Sequence, residues 1–141
     1  MNKNQQIQKM KEKLKNRNAV IKFMLKITTS FSPIRMIAGQ KEPVILNVYV
    51  KNNSETSKMA TVFVKIPYSL GFDKIGLERD LRRRIANIKS GAEKTVPILI
   101  YGKSTISEGE YPVSIKVYMH SERYDKSEND YSLETKLRVV K

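Results

Sequence analysis

Apolar side chains recur at every second position in one segment of this chain after another, and that spacing decides its fold class. Val44, Leu46, Val48 and Val50 alternate with polar neighbours such as Asn47, Tyr49 and Lys51. The same rhythm groups Ala60, Val62, Val64 and Ile66, then Val96, Ile98 and Ile100, then Tyr111, Val113, Ile115, Val117 and Met119. Tyr131, Leu133, Thr135, Leu137 and Val139 repeat it near the C-terminus. A period of two belongs to a half-buried strand, because successive Cβ atoms leave opposite faces of a pleated backbone. A helix of 3.6 residues per turn would scatter these residues around its axis.

An earlier strand is read in Ile21, Phe23, Leu25 and Ile27, and Ser32-Pro33 interrupts it because proline lacks the ladder donor. A short continuation, Ile34 to Ile37, reaches a turn at Ala38-Gly39-Gln40. Asn52-Asn53-Ser54, Pro67, Ser90-Gly91 and Gly109 punctuate the rest. Residues 68–80 read as irregular. One stretch carries two patterns. Leu77, Leu81, Ile85 and Ile88 make a helical stripe, yet Ile85 and Ile88 run into Gly91 and a clear strand. The flanking strands favour a strand over 82–88, with a helical turn before it. Seven strand-like segments with turns between them predict an all-β, immunoglobulin-like β-sandwich over residues 19–141. Val48, Val62, Ile98, Val113, Ile115 and Leu137, each mid-strand on the apolar side, are its expected core.

Residues 1–18 form a separate extension without Gly, Pro or aromatics, and Ile7, Met10 and Leu14 give it one narrow helical stripe. Three apolar residues cannot hold such a helix alone, so a partial helix or a disordered tail both fit. Of the chain's net charge of +13, residues 1–26 supply +7: Lys3, Lys9, Lys11, Lys13, Lys15, Arg17, Lys22 and Lys26 against Glu12. That asymmetry fits an arm for a polyanion, and equally a solubilising tail. Cysteine is absent, which excludes disulfides and thiolate metal sites. Abundant Lys, Arg and Ile with no Trp or Cys lean toward a thermophile's composition. The most apolar stretch, Ala19 to Thr29, is cut by Lys22 and Lys26, so no membrane span is expected. With no signal-peptide pattern, the expected location is cytoplasmic.

The order of these signals resembles the cell-adhesion-related domain of bacteria and archaea, the CARDB family. The residues that carry the likeness are Gly39, the strand Val44 to Asn52, Gly91 after Ile85 and Ile88, and Gly109-Glu110-Tyr111-Pro112-Val113, within residues 34–140. The resemblance implies a binding or scaffolding module without catalysis, and transfers no functional residue.

Little in the chain suggests chemistry. Its one histidine, His120, precedes Ser121 and Glu122 and reads as an ordinary edge or loop residue, since a Ser/His/acid site needs tertiary geometry that neighbours on a turn do not supply. Glu122, Asp125, Glu128 and Asp130 crowd one loop but lack a calcium-loop spacing. No phosphate-cradling loop is present, so no catalytic, cofactor or metal residue is assigned. Tyr111, after Gly109, resembles a tyrosine corner whose hydroxyl bonds back to nearby backbone. Asn52-Asn53-Ser54 has the form of a glycosylation acceptor and reads more simply as a turn.

Two functional readings follow. The first is a non-catalytic protein-interaction or structural module, with a protein partner or self-association and no evident small-molecule substrate. The alternative is a nucleic-acid-binding accessory protein that uses Lys9, Lys11, Lys13, Lys15 and Arg17 with a patch from Arg79 to Arg84. In a strand, Arg82 and Arg84 share one face and Arg83 takes the other. Guanidinium groups suit phosphate, but a charged edge strand also serves to block sheet-to-sheet association. Tyr49, Tyr101 and Tyr118 look scattered, unlike the stacked rings of single-strand readers.

Overall fold

A computed structural model describes residues 24–75 and 78–141 of the chain. The basic extension, Ile21, Phe23 and Leu77 lie outside the described residues. So do Lys9, Lys11, Lys13, Lys15 and Arg17. Within them the chain forms strands only: β1 (Leu25–Ser32), β2 (Arg35–Ile37), β3 (Val44–Asn52), β4 (Lys58–Lys65), β5 (Leu70–Gly71), β6 (Asp80–Ile88), β7 (Glu93–Gly102), β8 (Gly109–His120) and β9 (Asn129–Val140). The seven long strands are the seven segments read from the alternation. The two short ones are the continuation after Pro33 and a bridge inside the stretch taken as irregular.

The strands form two sheets, ordered β1-β3-β7-β5 and β2-β9-β8-β4-β6. All pairings are antiparallel except β2 with β9. At Ser32-Pro33, a cis peptide, the chain leaves the first sheet and enters the second. Between the sheets lie the alternating residues predicted to be core: Val48, Val62, Ile98, Val113, Ile115 and Leu137 are all at most 2% exposed. Each sheet buries one face and wets the other, the arrangement that period-two patterning encodes. Residues 80–88 are strand, with Ile85 and Ile88 buried and Leu81 partly so; pairing with β4 decides between the two patterns in favour of the strand.

Asn52 shows how a turn closes the fold. Its side chain is fully buried. Its Nδ2 donates to the carbonyls of Thr56 (2.8 Å) and Ile88 (2.7 Å), and its Oδ1 accepts from the Ser54 N–H (2.9 Å) and hydroxyl. Its backbone bonds to Gly91 and Ala92. One amide thus ties the end of β3 to the β3–β4 turn and the end of β6. Gly91, at φ 77°, makes the accompanying β6–β7 turn. Asn52, buried and fully bonded at the end of β3, holds the turn that the sequence suggested. Tyr111 donates its hydroxyl to the Ser107 carbonyl at 2.6 Å, the expected corner contact.

A cation–aromatic face beside an open edge

The solvent side of the five-stranded sheet is built by register. Thr61 and Phe63 on β4 stand opposite Tyr118 and Lys116 on β8, and opposite Arg84 and Arg82 on β6. Opposed residues share a face, so Arg82 and Arg84 lie on the outer surface beside Phe63 and Tyr118. Arg83, opposite Val62, takes the other face. Phe63 and Tyr118 meet edge to face, with ring centres 5.4 Å apart. The Arg82 guanidinium carbon lies 5.9 Å from the Phe63 ring centre, and that of Arg84 lies 4.8 Å from the ring of Tyr124, which the β8–β9 loop lays over the sheet. Lys116 Nζ sits 5.2 Å from the Tyr118 ring. Cations over ring faces gain about 0.5–1 kcal/mol each at exposed sites, which holds the side chains in place.

The loop that carries Tyr124 is anchored by His120. The sequence reads this histidine as an ordinary edge or loop residue, but it ends β8 and is only 3% exposed. Its Nδ1 lies 2.9 Å from the Lys126 carbonyl oxygen, and its Nε2 lies 2.9 Å from the Thr61 hydroxyl. A carbonyl only accepts, so Nδ1 carries the proton and Nε2 accepts from Thr61. The correction has a simple cause: the 121–130 loop folds back over the sheet and covers the end of β8. Both ring nitrogens are bound within the protein, and the pair of His120 and Thr61 is almost fully buried.

The acidic loop divides among cations. Arg123 bonds Asp125, Lys116 pairs with Asp130 at 3.6 Å, and the buried Lys58 reaches Glu128 at 3.3 Å and the Ser121 hydroxyl at 2.7 Å. A hydrogen bond from Ser121 and then the Lys58 ammonium lower the pKa of Glu128. Among the described residues no group of His, Asp and Glu is placed to hold a metal ion.

The Arg79–Arg84 patch therefore divides. Arg79 lies over Tyr68, 4.3 Å from its ring centre. Arg83 folds back so that its Nη1 donates to the Arg82 carbonyl at 3.3 Å. Arg82 and Arg84 stay together on the outer face, and among the described residues neither has a carboxylate partner. Between them is a cavity of about 150 Å3, lined also by Thr61, Phe63, Tyr118, His120, Tyr124, Ser127 and Asp125, whose carboxylate is held by Arg123.

Comparison with known proteins bears on the fold. No family model and no curated protein matches the chain. Solved structures do. A self-complemented form of MyfA, the major subunit of Myf fimbriae from Yersinia enterocolitica, is 12% identical at a TM-score of 0.52, covering 82% of this chain and 99% of that one. A non-cellulosomal cohesin from the hyperthermophilic archaeon Archaeoglobus fulgidus is 11% identical at 0.50, covering 83% and 91%. AvmM, which catalyses macrocyclization in alchivemycin A biosynthesis, is 9% identical at 0.50, covering 84% and 89%.

The chain has an immunoglobulin-like β-sandwich fold. At such identities the likeness concerns architecture alone. Two of these relatives in shape are a fimbrial subunit and a cohesin, and one is an enzyme, so the fold itself does not decide between binding and catalysis. The rings around Arg82 and Arg84 are what the sequence reading missed. Tyr118 is not scattered, because register sets it against Phe63. Tyr124 reaches the cluster only through the path of its loop.

Proposed function

We propose that this chain is a non-catalytic interaction module that binds an acidic protein segment on the outer face of its five-stranded sheet. The observation that carries this reading is the pair Arg82 and Arg84. Their guanidinium groups lie over aromatic rings and face solvent, and among the described residues neither forms an ion pair, the nearby Asp125 being bound to Arg123. A cation left unpaired costs nothing in water, but it gains when an anion arrives at a preorganised site. His120 is almost fully buried with both ring nitrogens bound within the protein, and three of the four loop acids are paired with cations, which favours binding over catalysis. The CARDB-like assignment, carried by Gly39, Gly91 and Gly109-Glu110-Tyr111, fits the same role, as does a cytoplasmic protein partner.

Nucleic acid fits the face less well. Bases stack on open rings, whereas Phe63, Tyr118 and Tyr124 each already have a cation near the ring. The test compares labelled polyglutamate with an oligothymidylate of equal charge by fluorescence anisotropy at about 150 mM salt, where loose attraction to a basic protein is screened. Polyglutamate should bind, and R82E/R84E should weaken it about tenfold or more, which is 1.4 kcal/mol. Tighter binding of the oligonucleotide, or indifference to the double substitution, overturns the reading.

A further inference from the structure

β6 is hydrogen-bonded to β4 on one side, and among the described residues no strand covers its other side. One bond sets the phase of its ladder. The Ile66 N–H donates to the Arg79 carbonyl at 3.1 Å, and Lys65 stands opposite Asp80. In an antiparallel pair, bonded and non-bonded positions alternate. Leu81, Arg83 and Ile85 therefore turn their N–H and C=O groups toward β4, while Asp80, Arg82 and Arg84 turn theirs to the open edge. The residues with outward backbone groups include the two with free guanidinium groups on the outer face. Arg83 meanwhile covers the outward carbonyl of Arg82 with its own side chain.

We propose that the acidic segment docks on β6 as an added antiparallel strand, with Asp or Glu opposite Arg82 and Arg84. This rests on the acidic-partner reading above and adds its geometry. Residues directly opposite on neighbouring strands share a face with Cβ atoms about 5 Å apart. Alternate residues of a strand are about 7 Å apart, so carboxylates at positions i and i+2 of the incoming strand meet both guanidiniums at once. Its backbone takes the outward groups of Arg82 and Arg84, displacing Arg83 from the carbonyl.

The occupant is not a second copy of this chain. Each copy carries a net charge of +13, and that repulsion opposes self-pairing even in the registers that would set Asp80 opposite Arg82 or Arg84 across the edge. The charge that protects the edge from itself selects an acidic strand. Asp80 marks the direction: an antiparallel segment reads acid, any, acid, any, then a basic or polar residue opposite Asp80.

The full chain is titrated with the peptide Thr-Glu-Val-Glu-Val-Lys-Thr and followed by amide NMR. Exchange should slow at the Arg82 and Arg84 N–H groups and stay unchanged at Arg83, already bonded to β4. N-methylation of the two peptide glutamates keeps their charge but removes both donors, and should weaken binding about tenfold or more. R82E/R84E should lose this peptide and gain Thr-Lys-Val-Lys-Val-Lys-Thr, whose last lysine still faces Asp80. Equal binding of the N-methylated peptide, or preference for the reversed order Thr-Lys-Val-Glu-Val-Glu-Thr, overturns the antiparallel strand but leaves the acidic-partner reading standing. If polyglutamate also fails to bind, that reading falls too. A dimer in solution that protects the Arg82 and Arg84 amides without peptide overturns the choice of occupant.

Discussion

Replacing Asn52 with alanine removes an amide that satisfies groups from three segments. The Ile88 carbonyl loses its bond at a buried site, and the Ser54 N–H loses its acceptor beside it. The Thr56 carbonyl keeps the Ser54 hydroxyl at 2.8 Å. Two buried backbone groups are thus left without partners, at about 1–3 kcal/mol each, and Ala is too small to refill the space. The expected loss is about 2–6 kcal/mol, a large share of the ~5–15 kcal/mol that holds a domain together. Guanidinium unfolding should show a lower midpoint at unchanged slope, and the melting temperature should fall by roughly 10 °C. Asn53→Ala, at the exposed neighbour, should stay within about 0.5 kcal/mol. Asn52→Asp keeps the acceptor but turns an oxygen on two carbonyls, so it should be no milder than alanine. A loss below about 1 kcal/mol for Asn52→Ala would mean that water enters and replaces the amide, which would refute its role as the tie between turns.

Two further outcomes test packing and charge. In Gly102→Ala the new Cβ would stand 2.7 Å from the Met36 sulfur, and Met36 is buried, so denaturant unfolding should show a loss of about 1–3 kcal/mol from overpacking. The lowered pKa of Glu128 means that its carboxylate stabilises the fold above its ordinary value near 4.5 and that this contribution fades as pH falls through the lower folded value. Glu128→Gln should therefore flatten the acid side of the stability–pH curve, measured as the urea midpoint, with little change in slope near neutrality.

Much of the sandwich was legible because burial on one face of a strand writes itself into every second residue. Val44 to Val50 and Val113 to Met119 could be assigned from spacing alone. Residues 82–88 were harder, since Leu81, Ile85 and Ile88 satisfy two periods at once. The register shift between Lys58 and Ala60, opposite Ile88 and Ile85, explains the ambiguity: an irregularity in pairing spaces the buried isoleucines by three rather than two. Two-residue β5 carries no periodic signal, being too short to repeat.

The candidate site was half legible for a related reason. Alternation separates Arg83 from Arg82 and Arg84 once the segment is a strand, and that part needed no structure. What lies beside them depends on register, and register is set by long-range pairing. Phe63 and Tyr118 are 55 residues apart in sequence, yet each lies one strand from the other because β4 joins β6 to β8. His120 was misjudged because a polar residue before a polar loop resembles an exposed turn; only the return of the loop, through the Lys126 carbonyl, buries it. Charge reads differently once the ladder phase is known. Three consecutive arginines in sequence suggest one basic patch for any anion. On β6 they become two face-mounted cations with outward backbone groups and one side chain that covers the outward Arg82 carbonyl. In the proposed docking, a patch of that construction would distinguish anions by shape, favouring an extended backbone with alternate acids over a flexible polyphosphate that offers no N–H groups to the edge.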